Sequence, residues 1–121
     1  KDYTEMQWRI MQQKKPKDYV IATGHAYSVK QFVNIAAKYL GMNIFWSGKG
    51  LNEIGYTLNK NKKETLIKID KKYFRPNEVE YLKGDASKAL KDLKFKPKYS
   101  FRGLVEDMID GDLLEAKKEL E

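Results

Sequence analysis

Three short apolar runs alternate with stretches of helical spacing, and this alternation does most to limit the chain to an α/β architecture. YVIAT (19–23), NIFW (43–46) and TLIKID (65–70) are long enough for strands and too short for helices. YVIAT is apolar throughout and ends at Gly24, so it predicts a buried strand with neighbours on both faces. In TLIKID a simple period of two sets Leu66 and Lys68 on one face and Ile67 and Ile69 on the other.

Between the first two runs lies Ser28-Val29-Lys30-Gln31, a capping box in which Ser28 and Gln31 satisfy each other's amides. Val29, Phe32, Val33, Ala36, Ala37 and Leu40 then form one apolar stripe, which Gly41 stops. Residues 2–13 read as another helix on Tyr3, Met6 and Ile10, widened by Trp8 and Met11, and its start so near residue 1 points to further chain upstream. Asp85 predicts the cap of a short helix carrying Ala86, Ala89, Leu90 and Leu93, which FKPKY breaks. Ser100 predicts the cap of a last helix with Phe101, Leu104, Val105, Met108 and Ile109 inward. SGKGLNEIG (47–55) reads as a loop and NKNKK (59–63) as a turn or surface link. The expectation is one α/β unit with three short strands and about four helices, without internal repeat.

Length and composition bound the rest. At 121 residues a compact chain hides roughly two thirds of its unfolded surface, enough for a core. With 41% hydrophobic and 34% charged residues the sequence belongs with globular rather than disordered chains. No apolar run approaches the roughly 18 residues of a membrane span, and the opening KDYTEMQWRIMQQ lacks a signal-peptide apolar region. A soluble, cytoplasmic protein without membrane contact is expected. The absence of cysteine removes disulfides and thiolate metal sites. A net charge of +7 favours an anionic partner in general terms, whether nucleic acid, nucleotide or phosphate, although dispersed lysines also suit a solvated surface.

Several chemistry-bearing residues have structural explanations. GKGLNEIG is neither a Walker loop nor a dinucleotide fingerprint, because no apolar-periodic helix follows it. His25 is the single histidine and has no ligand cluster around it, so a loop role competes with ligand contact. Ser28 is taken by its cap rather than by nucleophilic work. Asp107, Asp110 and Asp112 read as a solvated helix face, and no catalytic residue is assigned. Aromatics and lysines interleave in KIDKKYFRP and KFKPKYSFR, which keeps a small basic nucleic-acid-binding module open as an alternative.

YFRPNEVEYLKGD (73–85) is the most informative stretch. Pro76 disfavours the α region at Arg75, so the guanidinium leaves a restricted, extended segment and can fork onto two phosphate oxygens. Glu78, three residues later, can accept from ribose hydroxyls, or can instead pair with a surface lysine or with Arg75.

Taken together, KDYTEMQWRIMQQ, DYVIATG, YSVKQFV, KIDKKYFRPNEVEYLKGDASKA, LKFKP and LVEDMIDGDLLEAKK resemble the C-terminal part of the GDP-mannose 4,6-dehydratase family, nucleotide-sugar enzymes of the extended short-chain dehydrogenase type. The resemblance implies that residues 1–121 are a C-terminal GDP-sugar-binding region of an extended Rossmann-type dehydratase. The N-terminal NADP-binding Rossmann domain is then largely absent, and with it the family's catalytic tyrosine and lysine. Neither Tyr19 with Lys17 nor Tyr27 with Lys30 has the family's spacing for that pair. The family oxidises the sugar at C4 with NADP, eliminates water across C5 and C6 and returns hydride at C6, giving GDP-4-keto-6-deoxymannose. This chain alone is expected to be inactive. By the same resemblance Arg75 corresponds to the arginine clamping the GDP diphosphate, and Glu78 to the carboxylate on the guanosine ribose. GDP-mannose is then the ligand, and the intact enzyme a homo-oligomer in GDP-fucose biosynthesis without nucleic acid as partner. A related nucleotide-sugar epimerase or dehydratase is the near alternative.

Overall fold

The computed structural model describes residues 1–75 and 81–120. It is α/β, with four α-helices and a three-stranded antiparallel sheet among the described residues. Although no linker marks a division, the residues group into two compact units. The first comprises Lys1–Tyr27 and Glu80–Leu104, the second Ser28–Val79 and Val105–Glu121.

In the first unit, α1 (Asp2–Met11) and α3 (Ser87–Leu93) bury Met6, Ala89 and Leu93 around Phe95, with Ile10, Tyr19 and Ile21 packed against them. Helical spacing in α1 delivers Met6 to this cluster, whereas Tyr3, Trp8 and Met11 stay exposed. Arg9 ties the two helices polarly, its guanidinium donating to the carbonyl oxygens of Leu93 at 2.9 Å and Lys94 at 3.4 Å. These are carbonyls that a helix end leaves without an internal partner. Asp2 accepts from the backbone amides of Lys98 and Tyr99, fastening the stretch after α3 to the start of α1.

YVIAT is not a strand. Residues 19–23 find no ladder partner among the described residues, and Tyr19 and Ile21 pack on the helical cluster instead while Val20 is exposed. A run with strand propensity and no neighbour to exchange backbone hydrogen bonds with stays irregular.

The second unit holds α2 (Val29–Tyr39) and the strands β1 (Phe45–Ser47), β2 (Ile54–Asn59) and β3 (Lys62–Lys68). The capping box forms as expected: Gln31 N–H donates to Ser28 Oγ at 3.1 Å, and Ser28 N–H donates to the Gln31 side chain at 2.7 Å. Gly41 takes φ +72, the left-handed conformation that ends a helix at least cost in glycine. Of the apolar stripe, Ala37 is buried and Phe32, Val33 and Ala36 are half-buried, but Val29 and Leu40 at its ends are exposed. Trp46 Nε1–H donates to Asn34 Oδ1 at 2.8 Å, and Lys30 Nζ lies 4.8 Å from the Trp46 ring centre, linking α2 to β1.

The sheet runs β1-β2-β3 in sequence order, with no crossover. β2 occupies residues read as the end of a loop and the start of a turn, because Gly55 interrupts its apolar pattern. Gly55 is buried, and a Cβ there would sit 3.1 Å from Ile44 Cδ1 and 3.3 Å from the Trp46 ring. Lys60 and Asn61, at φ 48° and 63°, make the two-residue connection of a tight hairpin rather than a loose link. The register slips where Gly55 faces Ile67 but Tyr56 faces Thr65, leaving Leu66 as an extra residue in β3. That bulge defeats simple period two, and Ile67 is half-buried while Leu66 is exposed.

α4 (Phe101–Glu119) begins where Ser100 Oγ accepts from Gly103 N–H at 3.0 Å, as its cap requires. Val105 is fully buried, whereas Leu104 and Met108 are exposed. The cap of α3 differs in detail: Asp85 Oδ1 accepts from Ser87 N–H at 2.9 Å, and Ala86 stands between this turn and the helix. No described helix is long and apolar enough to cross a membrane.

Candidate functional site

Arg75 lies in the second unit, seven residues after the end of β3 at Lys68. Asp70 starts two successive turns: its carbonyl accepts from Tyr73 N–H at 3.1 Å, and the Lys71 carbonyl accepts from Phe74 N–H at 3.3 Å. The Asp70 carboxylate also accepts from Lys72 N–H at 2.9 Å, bracing the first turn. The turns lead to an exposed Arg75 that has no hydrogen-bond or ion-pair partner among the described residues. Lys71 and Lys72 precede it, so three cations fall within five residues and set a positive local potential. A guanidinium beside two further cations can fork onto a phosphate. The expectations for Pro76 and Glu78 lie outside the described residues.

The first unit carries two open hollows on either side of the loop that follows YVIAT. One, of about 410 Å³, is lined by Thr23, Gly24, Lys83, Asp85 and Ser87 among others. Gly84 closes its wall against the loop, since a Cβ there would stand 2.7 Å from Ala22 Cβ and 3.3 Å from Val20 Cγ1. The Ser87 hydroxyl and amide both donate to Asp85 and hold its carboxyl below the usual carboxylate range. Asp85 is therefore an ionised turn-former rather than a proton donor.

The other hollow, of about 440 Å³, is aromatic, with Tyr3, His25, Tyr27, Tyr99 and Phe101 in its wall. Tyr27 and Phe101 stack with ring centres 3.8 Å apart and planes 4° from parallel. His25 lies 6.4 Å from Tyr27 at 25°. The Thr23 carbonyl, which can only accept, lies 3.1 Å from His25 Nδ1, so that nitrogen is the donor in this contact.

Other candidates resolve into structural ties. Lys17 Nζ and Tyr19 Oη both donate to Asp92 Oδ2, at 3.1 and 3.2 Å. Desolvation and the Asp92 bond raise the Tyr19 phenol above its ordinary range, so this pair is not an activated tyrosine. Lys30 pairs with Glu53 at 2.7 Å. Asp110 is not merely solvated, because Tyr39 Oη donates to both its oxygens at 2.9 and 3.0 Å. That tie escapes a reading of α4 alone, since its partner is on α2. Among the described residues no group of histidine, aspartate and glutamate is arranged to hold a metal. The glycines at 48, 50 and 55 sit in a loop, a single 3-10 turn and a strand, and so do not build a dinucleotide cradle.

Comparison with known proteins places the chain. The family model described as GDP-mannose 4,6 dehydratase matches residues 1–108, a span that contains Arg75 and both hollows. A GDP-mannose 4,6 dehydratase of Drosophila melanogaster is 45% identical, the match covering 93% of this chain and 28% of the relative. One from Yersinia enterocolitica is 40% identical over 98% of this chain and 34% of its own length. The human protein of that name is 41% identical over 93% of this chain and 30% of itself. The chain thus spans about a third of the length of the relatives it matches. With most of its residues inside the family match, the chain belongs to the GDP-mannose 4,6-dehydratase family.

Proposed function

We propose that these residues form the C-terminal, GDP-sugar-binding part of an enzyme that dehydrates GDP-mannose to GDP-4-keto-6-deoxymannose. The observation that carries this reading is the family match across residues 1–108, which takes in the YFRPNEVEYLKGD stretch. The exposure of Arg75 beside Lys71 and Lys72 supports a phosphate-facing role for it. In this reading Arg75 clamps the diphosphate and Glu78 accepts from the ribose hydroxyls.

NADP and the redox steps are assigned to the portion of the relatives that this chain does not match. The 121 residues alone are then inactive, and the intact cytoplasmic enzyme is a homo-oligomer. Its place in GDP-fucose formation follows from the same reading.

The test is GDP-mannose affinity of the intact enzyme, measured by calorimetry, with and without Arg75→Ala. Loss of a charge-assisted bidentate contact is expected to cost roughly 1.5–3 kcal/mol, about 10- to 150-fold in Kd. Unchanged affinity removes the clamp. Tighter binding of UDP-glucose than GDP-mannose moves the reading to a related nucleotide-sugar enzyme.

A further inference from the structure

The sheet of the second unit has two faces of different chemistry, and the register assigns each residue to one of them. Residues opposite each other on neighbouring strands point to the same side, and successive residues alternate. Trp46, Gly55 and Ile67 form a row on the side where Trp46 donates to Asn34 of α2, and Thr57 and Glu64 share that side. Phe45, Tyr56 and Thr65 form a row on the other side. Leu58 and Lys63 flank this row toward the hairpin, and Ser47, Ile54 and Lys68 flank it at the opposite end. Ring contacts agree with the assignment: the Phe45 and Tyr56 centres lie 5.8 Å apart, and Lys63 Nζ lies 4.7 Å from the centre of Tyr56.

This second face is open, and it carries cations without an acid. Phe45 is 44% exposed and Leu58 50%, while Lys63, Thr65 and Lys68 are exposed and Tyr56 is half-buried. The acids within residues 45–68 are Glu53 and Glu64, and both are engaged elsewhere. Glu64 is on the α2 side, and Glu53 pairs with Lys30 of α2 at 2.7 Å. Two aromatic rings therefore lie between two lysines, one at each end of the row.

That pattern complements a flexible polyanion that carries flat rings. The bases of a single-stranded nucleic acid stack on aromatic side chains whatever their sequence, and its phosphates need cations beside the stack. An acidic peptide would engage the lysines, but an extended one adds along a strand edge rather than across a sheet face. The Ser47 and Thr65 hydroxyls, on the same face, can donate to or accept from base edges.

We propose that the face bearing Phe45, Tyr56, Lys63 and Lys68 binds single-stranded RNA by base stacking and lysine-to-phosphate contacts. It uses none of the residues assigned to the nucleotide sugar and does not depend on that reading. It departs from the expectation, carried by the resemblance, that nucleic acid is no partner.

The test is fluorescence anisotropy of the full chain with a labelled single-stranded RNA of about 8 nucleotides, against an abasic strand of equal length and charge. Saturable RNA binding is expected, with the abasic strand at least about 5-fold weaker. Phe45→Leu removes a ring from an exposed position and weakens RNA binding by about 5- to 150-fold, the range for one stacked base, without altering the abasic strand. Lys62 and Lys63 are adjacent but on opposite faces, so they separate local contact from net charge. Lys63→Gln reduces the slope of log affinity against log salt by about 0.7, and Lys62→Gln leaves it unchanged. Far-UV circular dichroism verifies folding, and the lysine variants carry the test if Phe45→Leu is not folded.

No saturable binding, equal binding of the abasic strand, or equal effects of Lys62→Gln and Lys63→Gln overturns the proposal. Binding to phosphatidylserine vesicles in place of the RNA overturns it too. Displacement of the RNA by GDP-mannose would put it in the nucleotide-sugar site and sink the sheet face while the clamp stands. RNA binding that ignores GDP-mannose, with GDP-mannose affinity unchanged by Arg75→Ala, keeps the face and removes the clamp.

Discussion

Phe95 is the residue on which the first unit depends most, and Phe95→Ala tests that dependence. α3 ends at Lys94, whose left-handed conformation (φ 52, ψ 40) reverses the chain and turns Phe95 inward. Only 1% of Phe95 is exposed, and it packs with Met6, Ala89 and Leu93. Removing a fully buried phenyl ring costs about 3–5 kcal/mol, combining lost transfer energy with the cavity left behind. A chain of this size has a total stability of roughly 5–15 kcal/mol, so the variant loses a large fraction of it. With a urea dependence near 2 kcal/mol per molar, the unfolding midpoint falls by about 2 M. Urea titration followed by far-UV circular dichroism measures this, with Phe95→Leu as the volume-retaining control. Lys94→Gly relieves the left-handed strain and raises the midpoint modestly. A loss below about 1 kcal/mol for Phe95→Ala, equal to that for Phe95→Leu, would refute the claim that the cluster is organised on this ring.

Three further outcomes follow from particular contacts. Ser28→Ala removes one half of the capping box and costs about 0.5–2 kcal/mol, read by the same titration; Ser28→Thr retains most of that stability. Gly84→Ala drives a methyl into Ala22 and costs about 1–3 kcal/mol, whereas the double variant with Ala22→Gly recovers part of it, and purely additive losses would count against the close approach. Glu5, Asp85 and Asp92 have carboxyls held below their ordinary range, by Lys98 and Arg9, by Ser87, and by Lys17 respectively. Folded pKa values below the unfolded ones mean that their contribution is present above the ordinary carboxylate pKa and is lost as pH falls through the lower folded values, below about pH 4. Asp92→Asn therefore flattens the decline of stability with acid, and an unchanged slope between pH 4.5 and 2 would exclude Asp92 from it.

The site was legible in part. Pro76 beside Arg75 marks a restricted cation in the sequence itself, because proline acts on its immediate neighbour. The aromatic hollow was not, since Tyr3, Tyr27 and Phe101 come from distant stretches and no local spacing relates them. His25 read as a loop residue with ligand contact as its alternative, and its place in the wall of this hollow shows only in the tertiary structure.

The division runs along the range of the interactions. Helix starts and stops were determined by sequence, as the Ser28 box, the Ser100 cap and the Gly41 stop show, because each is closed by hydrogen bonds or φ values within a few residues. Strands were decided by the tertiary structure. YVIAT has the composition of a buried strand and no ladder partner among the described residues, while IGYTLN has a glycine as its second residue and becomes the centre of the sheet. A helix satisfies its backbone internally, but a strand exists only with the neighbour that completes its hydrogen bonds. Burial follows the same rule: periodicity aligned Tyr3 with Met6 in α1, and the packing of α3 and Phe95 decided that Met6 alone of the two lies in the core.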